Sequence, residues 1–149
     1  MSDSERPVVV SFVDSYFASE AFAALHSQGM TLAQECAIYL YGPQKREMLK
    51  IPWRLKRTFS SESKRLAERI LVMSEWLLLM RHKGKDAIDD AVFRKQVEKT
   101  NLATHAEKSE QLEKLPEEFV GLVDRSHDLL AKINRLNKRF FHSKTSPDL

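Results

Sequence analysis

Residues 70–84 read ILVMSEWLLLMRHKG. Residues 76–80 are five consecutive large apolar side chains, in a chain that is 30% charged. A membrane span, a ligand pocket and a core all compete for such a run. A spanning helix needs about 20 mostly apolar residues. This one carries Ser74 and Glu75 inside it and closes on Arg81-His82-Lys83, so it does not reach. Phe59, Leu66, Ile70, Met73, Leu77 and Met80 recur on a seven-residue repeat, the seam of a helix in a bundle. The core is the reading the periodicity favours. That helix starts between Pro52 and Thr58 and ends at Gly84, with Arg81, His82 and Lys83 complementing its dipole.

Two more helices complete the pattern. The first starts at 14 or 15 and ends at 41, with Phe17, Ala21, Leu25, Leu32, Cys36 and Tyr39 on one face and a longer gap at Gln28-Gly29. Gly42-Pro43 stops it. The last spans 116–139, opened by Pro116, Glu117 and Glu118 and seamed by Leu122, Ser126, Leu129, Ile133, Leu136 and Phe140. Between the second and third, residues 85–115 form a connector with a weaker helix over 87–99 and an almost wholly polar stretch over 101–114. That composition predicts a solvated, mobile segment. The fold class is therefore all-α, an antiparallel three-helix bundle forming one domain over 14–141. Residues 1–13 are an extension and 142–149 a tail. Five consecutive apolar residues point all around a helix, and one seam cannot cover them. Either a third element or a second copy of the chain covers them; the expectation is a homodimer made by the first two helices, with Phe22, Leu78 and Leu79 at its edge.

Composition narrows the setting. The chain has 149 residues and a net charge of +3, and one cysteine, Cys36, rules out an intramolecular disulfide. Together with an opening MSDSERPVVVSF that lacks a basic n-region and apolar h-region, this predicts a reducing, cytoplasmic address without a membrane segment.

Catalytic chemistry has little to stand on. His26, His82, His105, His127 and His142 are scattered, and none forms a zinc-type spacing. Asp124 and His127 stand three apart, faintly like the Glu-x-x-His of di-iron bundles, but that design needs two such motifs and two more carboxylates. Cys36 lies on an apolar face, where a thiol is inert. Ser126 in the third seam is explained by a hydrogen bond back to its own helix. No enzyme, metal or cofactor is expected.

One charge feature stands out, PQKREMLKIPWRLKRTF at 43–59. Lys45, Arg46, Lys50, Arg54, Lys56 and Arg57 face a single acid, Glu47. Cations at a helix N-terminus typically cost tenths of a kcal/mol each. The bland account has them solvated, their stems covering Trp53 and Leu55. The functional account makes them a partner-binding site for an acidic protein or, as the alternative, for nucleic acid. No helix-turn-helix, zinc finger or aromatic platform supports the latter.

The segments FASEAFAALHSQGMTLAQECAIYLYGP, LAERILVMSEWLLLMR and LPEEFVGLVDRSHDLLAKINRL carry a resemblance. Ser11-Phe12, Phe17, Phe22, Leu25, Gly29-Met30, Leu32, Glu35, Ala37, Tyr39-Leu40-x-Gly42, the Ser74-Glu75-Trp76-Leu77-Leu78 run, Arg81 and Leu115-Pro116 fall in the order of the family of the regulator of CtrA degradation, RcdA, of alphaproteobacteria. The chain resembles that family over nearly its whole length. It departs where the family has Asp and a Gly-rich turn, placing Tyr41 and Pro43-Gln44-Lys45-Arg46 there instead, and its tail is short. The resemblance implies a dimeric, non-enzymatic helical adaptor in cell-cycle control. Such an adaptor brings client regulators to ClpX and the ClpXP protease, with help from a response-regulator-like protein.

Overall fold

A computed structural model describes residues 8–100, 102 and 107–142. The expected tail beyond residue 142, most of the N-terminal extension and His105 lie outside the described residues. The elements are α1 (Val8–Phe17), α2 (Glu20–Tyr41), α3 (Pro43–Lys50), α4 (Trp53–Gly84), α5 (Asp90–Lys99) and α6 (Glu117–Asn137). A 3-10 turn (Leu112–Lys114) precedes α6, and a π turn (Lys138–His142) continues it. The described residues contain no strand, and the all-α bundle follows as expected.

The single first helix expected over 14–41 is two helices. α1 begins earlier, at Val8, and the chain turns at Ala18-Ser19. Ser19 is extended (φ −85°, ψ 165°) and its Oγ accepts from the Phe22 N–H at 3.3 Å, an N-cap followed by Glu20 in the first turn. Capping of this kind is worth about 1 kcal/mol, enough to restart a helix where the apolar spacing runs on unbroken.

Side-chain pairings fix the directions. A Cβ added at Gly29 would meet Leu77, and Gln44, just past the end of α2, bonds Ser63, so α2 and α4 are antiparallel. The Phe59–Phe119, Arg69–Ser126 and Trp76–Asn137 contacts make α4 and α6 parallel, where the expected antiparallel three-helix arrangement would have the second and third long helices run oppositely. Two parallel helices in sequence need a connection that returns the length of the bundle. This is why thirty-odd residues separate them, a consequence of topology rather than looseness. At Gly29 an added Cβ would lie 2.3 Å from Leu77 Cδ1. The gap in the first apolar pattern is therefore a point where α4 packs too close to α2 for a side chain.

The seam residues are core. Phe59, Leu66, Met73, Leu77 and Met80 of α4 are buried, as are Phe119, Leu122, Leu129 and Ile133 of α6. Fully burying each contributes about 1.5–3 kcal/mol. Trp76 is 0% exposed and donates through Nε1 to Asn137 Oδ1 at 2.9 Å. Around it Phe17 packs edge-on to Phe22 (5.1 Å between centroids) and Trp76 (6.0 Å), with Phe140 of the π turn at 5.4 Å.

The described part of the connector is mostly exposed, and a few contacts anchor it to the bundle. Lys83, itself buried, meets Asp90 Oδ1 at 2.5 Å and lies over the Phe93 ring. Arg69, 1% exposed, donates to Ser126 Oγ at 3.0 Å and more distantly to the Glu107 carbonyl at 3.5 Å. Glu62, 0% exposed, accepts from the Ser109 N–H at 2.7 Å and from Arg65 at 2.9 Å. Leu102, Leu112 and Leu115 are buried pegs beside these contacts. The stretch meets Arg69 and Glu62 through backbone groups, the Glu107 carbonyl and the Ser109 N–H, while most of its described side chains stay exposed; a buried charge is retained only when hydrogen-bonded.

Candidate partner-binding surfaces

Because α2 and α4 are antiparallel, the end of α2 and the start of α4 share one end of the bundle, with α3 between them. Three interactions set the pose of α3. The Tyr39 hydroxyl donates to Glu47 Oε1, Gln44 Nε2 donates to Ser63 Oγ, and Lys56 Nζ donates to the Met48 carbonyl. Burial and the Glu47 carboxylate raise the Tyr39 phenol above its ordinary range, so it remains a donor. With Gln44, Glu47 and Met48 turned inward, Lys45, Arg46, Leu49 and Lys50 form the exposed face.

Of the six predicted cations, Lys45, Arg46, Lys50, Arg54 and Arg57 are exposed here. Lys56 is only partly exposed and closes the α3–α4 junction. The sequence did not announce α3 as a helix. Its signal was present: Pro43 in the first turn, favoured there because its missing N–H is not needed. The idea that basic stems cover Trp53 is overturned, since Trp53 is 81% exposed while Leu55 is buried. Leu49 is likewise 81% exposed, and Tyr41, just before Gly42, is 82% exposed.

The second surface is a groove of about 540 Å³ between α4 and α5, lined by Val72, Glu75, Leu78, Leu79, His82 and Ile88 among others. Leu78 is 48% exposed and Leu79 is half-buried, while Leu71 on the same helix is 61% exposed. Phe22, the third residue expected at a dimer edge, is 2% exposed against Phe17 and Tyr16. Its side chain belongs to the chain's own core.

The family comparison agrees with this architecture. The family described as "Protein of unknown function (DUF1465)" matches residues 13–148. The chain belongs to this family. It is also similar to RcdA from Caulobacter crescentus CB15, whose crystal structure superimposes with a TM-score of 0.67 at 26% identity, covering 89% of this chain and 99% of that one. No curated protein matches the chain. Within this DUF1465 member, nine of the residues that carry the RcdA resemblance are internal. Phe17, Phe22, Leu25, Gly29, Leu32, Tyr39, Trp76, Leu77 and Leu115 are buried, and Glu35 accepts both guanidinium nitrogens of Arg125 at 2.6 and 3.0 Å, tying α2 to α6. Glu75, Leu78 and Arg81, at three-residue steps, face outward on α4. The departures at Tyr41 and 43–46 fall on the basic end.

No group of three or more His, Cys, Asp or Glu side chains is placed to hold a metal among the described residues. No described helix is long and apolar enough to cross a membrane. Ser126 Oγ donates to the Val123 carbonyl at 2.7 Å, the expected bond to its own helix. Cys36 is 2% exposed and burial pushes its thiol up to about 11.

His127 has a buried Nε2 without a hydrogen-bond partner, and burial, with Arg69 and Lys108 nearby, pushes its pKa down to about 4. The Asp124 and Asp128 carboxylates oppose that shift without cancelling it. Between pH 6.5 and about 4 the unfolded chain binds a proton at this position that the folded chain does not. Stability therefore falls as pH drops through that window. His127→Gln should flatten this part of the stability profile, read as the urea midpoint at a series of pH values. An unchanged slope would show that His127 is not the group responsible.

Proposed function

We propose that the chain is a non-enzymatic adaptor that helps deliver regulatory proteins to the ClpXP protease in cell-cycle control, working with a response-regulator-like protein in the cytoplasm. The observation that carries this reading is the likeness to RcdA over 89% of the chain at 26% identity. Support also comes from the two exposed surfaces, one basic and one with apolar and polar side chains mixed, on a bundle whose interior is filled by packing side chains. Affinity capture from nuclease-treated lysate of the native cell, with a protease-dead ClpP to retain substrates, tests it by mass spectrometry. Recovery of ClpX, a receiver-like protein and a few regulators is expected. Absence of ClpX, with nucleic acid in an untreated parallel sample, would replace the adaptor with the nucleic-acid reading.

The α4–α5 face is the surface we assign to a second copy. About a two-fold axis near Leu78 and Leu79, an antiparallel α4 pair sets Glu75 of one copy opposite His82 of the other, while Leu71, Leu78 and Val92 supply apolar area. Leu78→Glu with Leu71→Glu should leave helicity unchanged and shift the sedimentation mass from dimer to monomer. A wild-type chain that is already monomeric at micromolar concentration, or a variant that stays dimeric, overturns the assignment.

A further inference from the structure

Of the exposed large hydrophobic side chains, Ile38, Tyr41, Leu49 and Trp53 all belong to the basic end of the bundle, at 62%, 82%, 81% and 81% exposure. Leu49 shares the outward face of α3 with Lys45, Arg46 and Lys50, and Trp53 is followed by Arg54 and, one turn on, Arg57. Apolar and cationic groups are interleaved there rather than sorted to opposite sides. The acid within the stretch, Glu47, is turned inward and engaged by Tyr39. The outward face of α3 and the first turn of α4 thus present bare apolar anchors in a positive field.

We propose that this surface binds an acidic peptide segment of a partner protein that carries large apolar side chains among its Asp and Glu residues. The inference rests on the protein-binding reading above and names the chemistry of one partner. Complementarity of charge sets orientation and on-rate. Exposed Trp, Tyr and Arg are the residue types that most often carry the affinity of an interface. A bilayer is a poorer match. A membrane-lying helix buries one apolar side and keeps its cations on the other, whereas seating Leu49 in lipid would carry Lys45, Arg46 and Lys50 in with it. Nucleic acid would use the cations and leave Leu49 without a contact. The pose is also prepared in advance, because three hydrogen bonds, one with Tyr39 of α2 and two with Ser63 and Lys56 of α4, hold α3. Little ordering cost remains for binding to meet.

The test uses the full-length chain and a fluorescent synthetic peptide of Asp and Glu with Leu and Phe at helical spacing. Controls are the same peptide with Lys in place of the acids, vesicles of phosphatidylcholine with phosphatidylserine, and a single-stranded oligonucleotide. The acidic peptide should bind, and the lysine version should not. Leu49→Ala with Trp53→Ala, and separately Arg46→Glu with Lys50→Glu, should each weaken binding by about tenfold or more. All four side chains are exposed, so helicity should be unchanged. Failure of wild-type chain to bind the acidic peptide overturns the proposal. So does binding indifferent to Leu49 and Trp53, or a stronger preference for vesicles or oligonucleotide. If ClpX is captured from lysate but the peptide does not bind, the adaptor reading stands and this surface assignment falls. Peptide binding without ClpX capture gives the reverse.

Discussion

Trp76→Ala should cost about 3–5 kcal/mol, the range for removing a buried aromatic ring from a core. For a chain of this size that lowers the melting temperature by on the order of 10 °C. Trp76 is fully buried, and its ring is where α1, α4 and the turn after α6 converge through Phe17, Phe140 and Asn137. Truncation removes the packing of the ring and also the N–H that donates to the Asn137 amide oxygen. Trp76→Phe keeps most of the volume and should lose far less. Asn137→Ala isolates the polar part, at about 1–3 kcal/mol for a buried donor left without its acceptor. Chemical denaturation followed by circular dichroism checks all three. A loss below about 1 kcal/mol for Trp76→Ala would mean that the aromatic cluster re-forms without it.

Glu62→Ala should be comparably severe, at about 3–5 kcal/mol, for an electrostatic reason. Burial drives the Arg69 guanidinium toward giving up its charge, and the Glu62 carboxylate is the group that most opposes this. Glu62 also holds the connector by accepting from the Ser109 N–H. Deleting it withdraws a buried negative charge and frees a backbone donor together. The effect has a location as well as a size: amide exchange should rise first around Ser109–Leu112 and only later in α2. Uniform acceleration across the chain, or none, would place the role of Glu62 elsewhere.

The helices were legible where packing sets the period. The α4 and α6 seams could be read because a helix buried along one side repeats its apolar residues every three or four positions, and Trp76, buried with Leu77 and Met80, sits where the pattern is densest. The Ser19 turn was not seen because apolar spacing continues across it, while the restart depends on one hydroxyl capping one amide. The anchoring of the connector is not legible because Glu62, Arg69 and Lys83 look like solvent-facing residues on a helix, whereas all three are buried. The parallel course of α4 and α6, a long-range property, brings Glu107 and Ser109 back to Arg69 and Glu62, while Asp90 folds back on Lys83 just after α4 ends. At the basic end the cations could be found by counting charge. The exposure of Leu49 and Trp53 could not, since a lone apolar residue has the same spacing whether it faces in or out.

Cys36 has a practical consequence for experiments on every surface described above. As the single thiol of the chain, nearly inaccessible and with a pKa near 11, it presents almost no thiolate to a maleimide at neutral pH. A cysteine substituted for Leu49 or for Leu78 becomes the one addressable position without prior removal of the native residue. Fluorophores or spin labels attached there can report distances between the basic end, the α4–α5 face and whatever docks on either, on a molecule whose core has been left intact.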